Sequence, residues 1–198
     1  MKRRIEVRAC SIIETGADLV VNASNDSATL GGGVSRALFN ECGGDVLQRE
    51  MKQKLVDEFD GVLDEGDCLV TSAGTSTKIR HLLHVPAVDY RGPRARLGAA
   101  GVEKTVTSAE RIQACTEAAL RVAAEIAARE AHPVSIALPL LGAGAGGLPV
   151  AVVCRAMIAA LREFFAESPE AGIERVVFAV PEPDRFVLCE RLVASAMS

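Results

Sequence analysis

The chain has 198 residues, of which 49% are hydrophobic and 24% charged, so it can form one domain with its own core and does not have the composition of a disordered protein. Its formal net charge of −4 excludes the overall basic charge that drives non-specific nucleic-acid binding. The basic N-terminus is not followed by an apolar segment, and no run reaches about 18 apolar residues, so we expect a soluble, cytoplasmic protein without a signal peptide or membrane span.

Short runs rich in β-branched residues alternate with amphipathic segments along the chain. The runs predict strands at Ile5–Val7, Asp18–Asn22, Asp67–Ser72, Ile79–Val85, Pro133–Pro139 and Arg175–Val180. The amphipathic segments predict a helix that begins at the capping box Thr107–Glu110, and others at Val34–Glu41, Asp45–Phe59, Val150–Phe165 and Asp184–Ala194. This alternation predicts an α/β fold with a mixed, mostly parallel sheet covered by helices on both faces.

Cysteine and histidine lack the spacing of a metal site or a disulfide framework. The cysteines are scattered through mainly apolar segments without a C-x-x-C pair, which indicates reduced core thiols at Cys10, Cys42, Cys68, Cys115, Cys154 and Cys189. His81 and His84 lie in one predicted strand with side chains on different faces, so we interpret them as hydrogen-bonded strand histidines. We expect neither a metal ion nor a cofactor.

The stretch Asp89–Thr105 has no hydrophobic periodicity and is rich in Gly, Arg and Ala, which predicts a long surface loop or small insertion. It does not mark a second domain, so residues 1–198 are expected to form a single one. Its arginines, Arg91, Arg94 and Arg96, are the one local basic cluster. They are either solvated loop residues or lean over a binding cleft to meet a phosphate or a nucleic-acid backbone.

Three segments with unusual amide or glycine content follow predicted strands, where open α/β sheets bind ligands. The amides of Asn22–Asn25 suit the hydroxyls of a sugar, although asparagine also turns the chain. Gly31–Val34 leads into a helix and offers bare backbone N–H groups to an anion, with a flexible linker as the alternative. Leu140–Pro149 is a second loop of backbone donors able to wrap a diphosphate. Its G-x-G-x-x-G spacing comes after the fifth strand, so it is a weak dinucleotide signature.

The chain resembles the macro-domain family over nearly its whole length, through segments in the family's order: Asn22–Asn25, Gly31–Val34, Gly66–Gly74, Arg80–Val85 and Pro139–Pro149. The resemblance implies a three-layer α/β/α fold around about six strands and a cleft for ADP-ribose. It implies that Asn25 contacts the distal ribose, that Asn22 fixes the first loop and that the Ile12 backbone lies near the adenine. The loop positions implied to line the ligand are Gly31, Gly32, Gly33, Val34, Leu141, Gly142, Ala143, Gly144, Ala145, Gly146 and Gly147.

Three positions depart from the family's pattern. Ser11 stands where many members have an aspartate that accepts a hydrogen bond from the adenine amine, and Ser35 stands where hydrolytic members have an aspartate near the scissile ribose bond. Val180 or Pro181 replaces the aromatic ring often found above the adenine. A serine cannot accept a proton from water as a carboxylate does, and loss of a general base costs a factor of about 10²–10⁴. Asp26, the nearby carboxylate in the first loop, is interpreted as a turn residue.

We therefore predict a monomeric module that binds ADP-ribose, free or attached to protein, with Ser11, Val180 and Pro181 at the adenine end. The alternative is a hydrolase that removes ADP-ribose from proteins or deacylates O-acyl-ADP-ribose, for which Asn25 and Ser35 are the catalytic candidates. A third hypothesis is a nucleic-acid-binding domain that uses the Arg91–Arg96 cluster, and the acidic net charge disfavours it.

Overall fold

The computed structural model describes residues 3–91 and 106–197. Within these ranges the chain forms a sheet in the order β1-β6-β5-β2-β4-β3. The strands are β1 (Arg4–Arg8), β2 (Leu19–Asn25), β3 (Leu69–Ser72), β4 (His81–Val88), β5 (Val134–Pro139) and β6 (Ile173–Ala179). Each neighbouring pair is parallel except β3 and β4, which run antiparallel. The prediction of a mixed, mostly parallel sheet is thereby confirmed.

The α-helices of the described ranges cover both faces of this sheet: α1 (Gly33–Glu41), α2 (Asp45–Phe59), α3 (Ala109–Glu130), α4 (Val150–Glu167) and α5 (Pro183–Met197). Successive side chains of a strand point to opposite faces, so each central strand contributes to two cores. Leu19 and Val21 pack in the core that contains α3, α4 and α5, whereas Val20 packs in the core that contains α1 and α2. The chain therefore has the three-layer α/β/α architecture. None of these helices has both the length and the apolar character to cross a membrane.

Two local predictions need correction. Strand β2 continues to Asn25, whereas the apolar pattern predicted its end at Asn22, because the backbone still pairs with β4 beyond the apolar residues. Helix α3 is capped by Ser108, whose Oγ accepts a hydrogen bond from the N–H of Arg111 (3.2 Å). The box Thr107–Glu110 had predicted Thr107 as the cap, but that residue is buried and the helix begins one position later.

The sheet opens between β2 and β5. These strands pair only at Leu19 with Ile136 and at Val20 with Ala137, so they separate towards their carboxyl ends. The chain leaves β2 for α1 on one face and leaves β5 for α4 on the other face. Adjacent parallel strands whose connections go to opposite faces leave a crevice beyond their carboxyl ends, which is where such sheets bind ligands.

Candidate functional site

A cleft with two connected chambers occupies this crevice. The central chamber, of about 230 Å³, lies between Ala23 and Ser24 of β2, Val88 of β4 and the loop after β5. The side chamber, of about 320 Å³, lies between Ser11 and the start of α5. Both chambers are lined by the same five residues, which makes them one continuous cleft: Gly33, Val34, Pro139, Leu140 and Gly144.

A larger hollow, of about 540 Å³, lies at the opposite end of the sheet between the C-terminal ends of α3 and α4. Its lining includes Ala124, Ala128 and Phe164, and it is an open, mainly apolar groove. The cleft is the better candidate site because it lies at the carboxyl ends of the parallel strands and is bordered by both glycine loops.

The first glycine loop leads directly into α1. Gly32 is the N-cap residue and has an extended backbone, and Gly33 has a φ of 56° that only glycine adopts readily. The first N–H groups of a helix have no intrahelical acceptor, so those of α1 are available to a ligand beside Gly33 and Val34, which line both chambers. Gly31 belongs to the exposed loop but does not line either chamber.

Two side chains of α2 hold the loop that precedes these glycines. The Gln48 Oε1 accepts a hydrogen bond from the N–H of Leu30 (2.7 Å), and its Nε2 donates to the carbonyl of Ala28 (2.9 Å). Lys52 donates to the carbonyl of Ser27 and to Thr29 Oγ1. The sequence carries no signal for this role, because both residues look like ordinary polar positions on a helix.

Glycine occurs at the positions of the second loop for different physical reasons. A Cβ at Gly142 would lie 2.8 Å from Ile112 Cδ1, and one at Gly146 would lie 2.6 Å from the Gly142 carbonyl oxygen, so packing requires both. A Cβ at Gly144 would meet no atom within 4 Å, because that residue faces the open cleft. The N–H groups of Gly144, Ala145 and Gly146 find no acceptor within the described residues, and they are free for a ligand.

Three of the predicted lining residues have buried side chains. Leu141 is fully buried and Ala143 is 9% exposed, and both pack in the core beneath the second loop. Val180 is also buried in that core, so of the pair after β6 only Pro181 lines the side chamber. These residues can offer a ligand only their backbone. Gly147 has a positive φ of 70° at the exposed turn before α4 and does not line either chamber.

Asn22 and Ser35 form a buried network with His84 rather than facing the cleft. The Ser35 hydroxyl donates to Asn22 Oδ1 (2.8 Å), and Asn22 Nδ2 bonds His84 Nδ1 (3.1 Å). Since an amide nitrogen is only a donor, Nδ1 is the acceptor and the ring proton is on Nε2, which donates to Thr71 Oγ1 (2.8 Å). Burial lowers the pKa of His84 to about 3, so the ring is neutral. This network joins α1, β2, β4 and β3 behind the cleft.

Asn25 and Asp26 stabilise the first loop. Asn25 Oδ1 accepts hydrogen bonds from the N–H of Ser27 (3.2 Å) and of Thr29 (3.1 Å). Its Nδ2 makes only a long hydrogen bond to the carbonyl of Thr29 (3.4 Å). Asp26 is 7% exposed and its Oδ1 accepts a hydrogen bond from the N–H of Tyr90 (2.9 Å). Both residues therefore fix the turn of the first loop, the role expected for Asp26, whereas the contact between Asn25 and the distal ribose stays a prediction.

The side chamber contains charged residues that no sequence motif indicated. Ser11 and Ile12 line one wall, and Glu182 and Arg185 at the start of α5 line the other. Glu182 and Arg185 form an exposed ion pair (3.7 Å). The backbone N–H of Ser11 donates to Glu14 Oε2 (3.3 Å), which ties this wall to the short 3₁₀ turn after β1.

The basic cluster of the sequence is only partly described. Arg91 bonds the carboxylates of Asp89 and Asp64, both at 2.8 Å, and these hydrogen bonds raise its pKa. Arg91 is therefore held by acidic neighbours and does not line the cleft. Arg94 and Arg96, together with most of the predicted loop Asp89–Thr105, lie outside the described residues.

Comparisons with known proteins identify relatives of this chain. The family model described as Macro domain matches residues 21–157. An uncharacterised protein of Aquifex aeolicus is 30% identical over 160 residues, which are 81% of this chain and 82% of that protein. An uncharacterised protein of Mycobacterium tuberculosis is 32% identical over 176 residues, but the match spans only 41% of that protein. The crystal structure of a Trypanosoma brucei macrodomain in complex with ADP-ribose has the same fold, with a TM-score of 0.72, 21% identity and coverage of 96% of this chain and 69% of that one.

Proposed function

The chain belongs to the macro domain family, and we propose that it binds ADP-ribose in the two-chambered cleft, with the diphosphate over the residues that both chambers share. The ligand named for the Trypanosoma brucei macrodomain supports this choice. The Mycobacterium tuberculosis relative is more than twice as long as the region that matches this chain. What such a domain does as part of a longer protein is therefore likewise only proposed.

The observation that carries the proposal is the set of backbone donors on both sides of the shared part of the cleft. The N-terminus of α1 begins at Gly33 on one side, and the free N–H groups of Gly144, Ala145 and Gly146 lie on the other. Of the described lining residues none is a lysine, and the one arginine, Arg185, lies in the side chamber. Peptide dipoles and the helix N-terminus would therefore balance the charge of the diphosphate.

The two chambers suit the two ends of such a ligand. The side chamber beside Ser11 and Ile12 would take the adenosine, and the central chamber beyond the diphosphate would take the terminal ribose. In the side chamber Ser11 stands where many family members have an aspartate that accepts a hydrogen bond from the adenine amine. Pro181 stands where the aromatic ring above the adenine is often found. We infer that adenine contributes less to affinity here than the diphosphate does.

We further propose that the chain binds rather than hydrolyses its ligand. The Ser35 hydroxyl is buried and donates to Asn22, so it is not placed to orient a water in the central chamber. Glu182 is the one carboxylate among the described lining residues, and it lies at the adenosine end. A general base must lie within hydrogen-bond reach of the water that it activates. Neither the Ser35 hydroxyl nor the Glu182 carboxylate lies within that reach of a water beside the terminal ribose.

Calorimetric titration with ADP-ribose, ADP and AMP tests the binding proposal. We expect affinity to fall in that order, because each truncation empties part of the cleft. Gly144→Val should weaken ADP-ribose binding about tenfold or more, since its side chain would enter both chambers without disturbing the backbone. The matched control is Ala166→Val on the exposed face of α4, which should bind as the wild type does.

Absence of heat and of a thermal shift with ADP-ribose at millimolar concentration would contradict the binding proposal. The non-hydrolytic part is tested separately by incubating the chain with an ADP-ribosylated protein. Release of ADP-ribose that Ser35→Ala abolishes would show that Ser35 is catalytic.

A further inference from the structure

Ser24 has a buried hydroxyl without a hydrogen-bond partner at the wall of the central chamber. The residue is 2% exposed and lines the chamber, and its Oγ has no acceptor or donor within the described residues. Buried hydroxyls are nearly always paired, because an unsatisfied one costs the desolvation that folding imposes on it. An unpaired hydroxyl at the wall of a cavity therefore indicates a partner that arrives from the cavity.

Ser24 is also the one described lining residue of the central chamber with a polar side-chain atom. The other lining residues are apolar or glycine, for example Val34, Ala87 and Val88. A ligand group in this chamber would otherwise find only backbone donors and acceptors.

The local strand pairing is irregular at Ser24. The register between β2 and β4 shifts between Ala23 and Asn25, at the position of Ser24. Pro86 of β4 lies opposite this shift, and a proline has no N–H to donate to the ladder. Such irregularities redirect side chains next to binding sites. Ser24 is thus placed at the point where the sheet opens into the cleft.

We propose that the Ser24 hydroxyl is a specificity-determining contact that binds a hydroxyl of the terminal sugar of the ligand. This inference rests on the proposed binding of ADP-ribose. A serine hydroxyl both donates and accepts, and it reorients by rotation about one bond, so it complements a sugar hydroxyl that enters the chamber. ADP has no terminal sugar, and its binding does not use this contact.

The test compares the wild type with Ser24→Ala, using calorimetric titration of ADP-ribose and of ADP and thermal unfolding of the ligand-free protein. Ser24→Ala should bind ADP-ribose about three- to tenfold more weakly, because the loss of one neutral hydrogen bond lowers affinity by about that factor. Its affinity for ADP should not change. The ligand-free variant should unfold about 2–4 °C above the wild type, because an unsatisfied buried group has been removed.

Thr107→Val is the matched control, because Thr107 Oγ1 is the other unpartnered buried hydroxyl of the described residues and does not line either chamber. It should raise the unfolding midpoint without changing either affinity.

Equal ADP-ribose affinity of Ser24→Ala and wild type would overturn the inference, as would an equal loss for ADP. A lower unfolding midpoint of Ser24→Ala would also overturn it, since it would mean that an ordered water already pairs the hydroxyl. If the wild type bound neither nucleotide, the proposed function itself would fail and this inference with it.

Discussion

Lowering the pH should destabilise the chain through His84, well above the pH at which its carboxylates are protonated. His84 is fully buried, its Nδ1 accepts a hydrogen bond from Asn22, and burial lowers its pKa to about 3. In the unfolded chain a histidine has a pKa of about 6.5. Between these values the unfolded state binds a proton that the folded state does not, so the free energy of unfolding falls as the pH falls.

The expected slope is about 1.4 kcal/mol per pH unit once the pH is below about 6. Between about pH 7 and about pH 5 the accumulated loss is about 2 kcal/mol, a substantial part of an ordinary stability. Hydrogen bonds from Arg91 lower the pKa of the Asp89 carboxyl, so its contribution to stability is lost as the pH falls through the usual carboxylate range, below about pH 5. Above about pH 5 the carboxylates contribute little to the slope, and comparison with a variant that lacks His84 separates its contribution from that of every other group.

Urea unfolding followed by circular dichroism measures this slope, since the chain has no tryptophan and one tyrosine to serve as a fluorescent probe. The reference is His84→Gln, which keeps an amide donor and acceptor but does not titrate. It should be less stable at neutral pH, and its stability should depend less on pH by about 1.4 kcal/mol per unit. The same pH dependence in wild type and His84→Gln would refute the reasoning.

Two further substitutions test how the loops are held. Gln48→Ala removes both hydrogen bonds to the backbone of Ala28 and Leu30, so we expect a loss of about 1–3 kcal/mol in urea unfolding and weaker ADP-ribose binding. Gln48→Glu should restore only the acceptor for the N–H of Leu30. Unchanged ADP-ribose affinity in Gln48→Ala would contradict the view that Gln48 holds the first loop in place for binding. Gly74→Ala places a Cβ 1.9 Å from the Cys42 carbonyl oxygen at a φ of +54°, so it should lower the free energy of unfolding by about 3 kcal/mol or more. Gly31→Ala, whose Cβ would meet no atom within 4 Å, should change thermal stability little, and equal effects of the two would exclude the packing explanation.

Local patterns in the sequence determined the order and type of the elements and the position of both glycine loops. Hydrophobic periodicity depends on residues a few positions apart, so it predicted the strands and helices and placed Gly31–Gly33 and Gly142–Gly147 after strands. It could not separate Thr107 from Ser108 as the helix cap, because both residues are good caps and burial of Thr107 decided between them.

Only the tertiary structure decided which side chains face the cleft. Asn22 contacts His84 across 62 positions of the chain, and the hydrogen bonds of this network hold the Asn22 amide and the Ser35 hydroxyl away from the cleft. Ser24 lines the central chamber at a register shift opposite Pro86, and Arg185 lines the side chamber from α5. Strand register and helix docking are set by the packing of distant residues, so the direction of a polar side chain at the end of a strand is not contained in its local sequence.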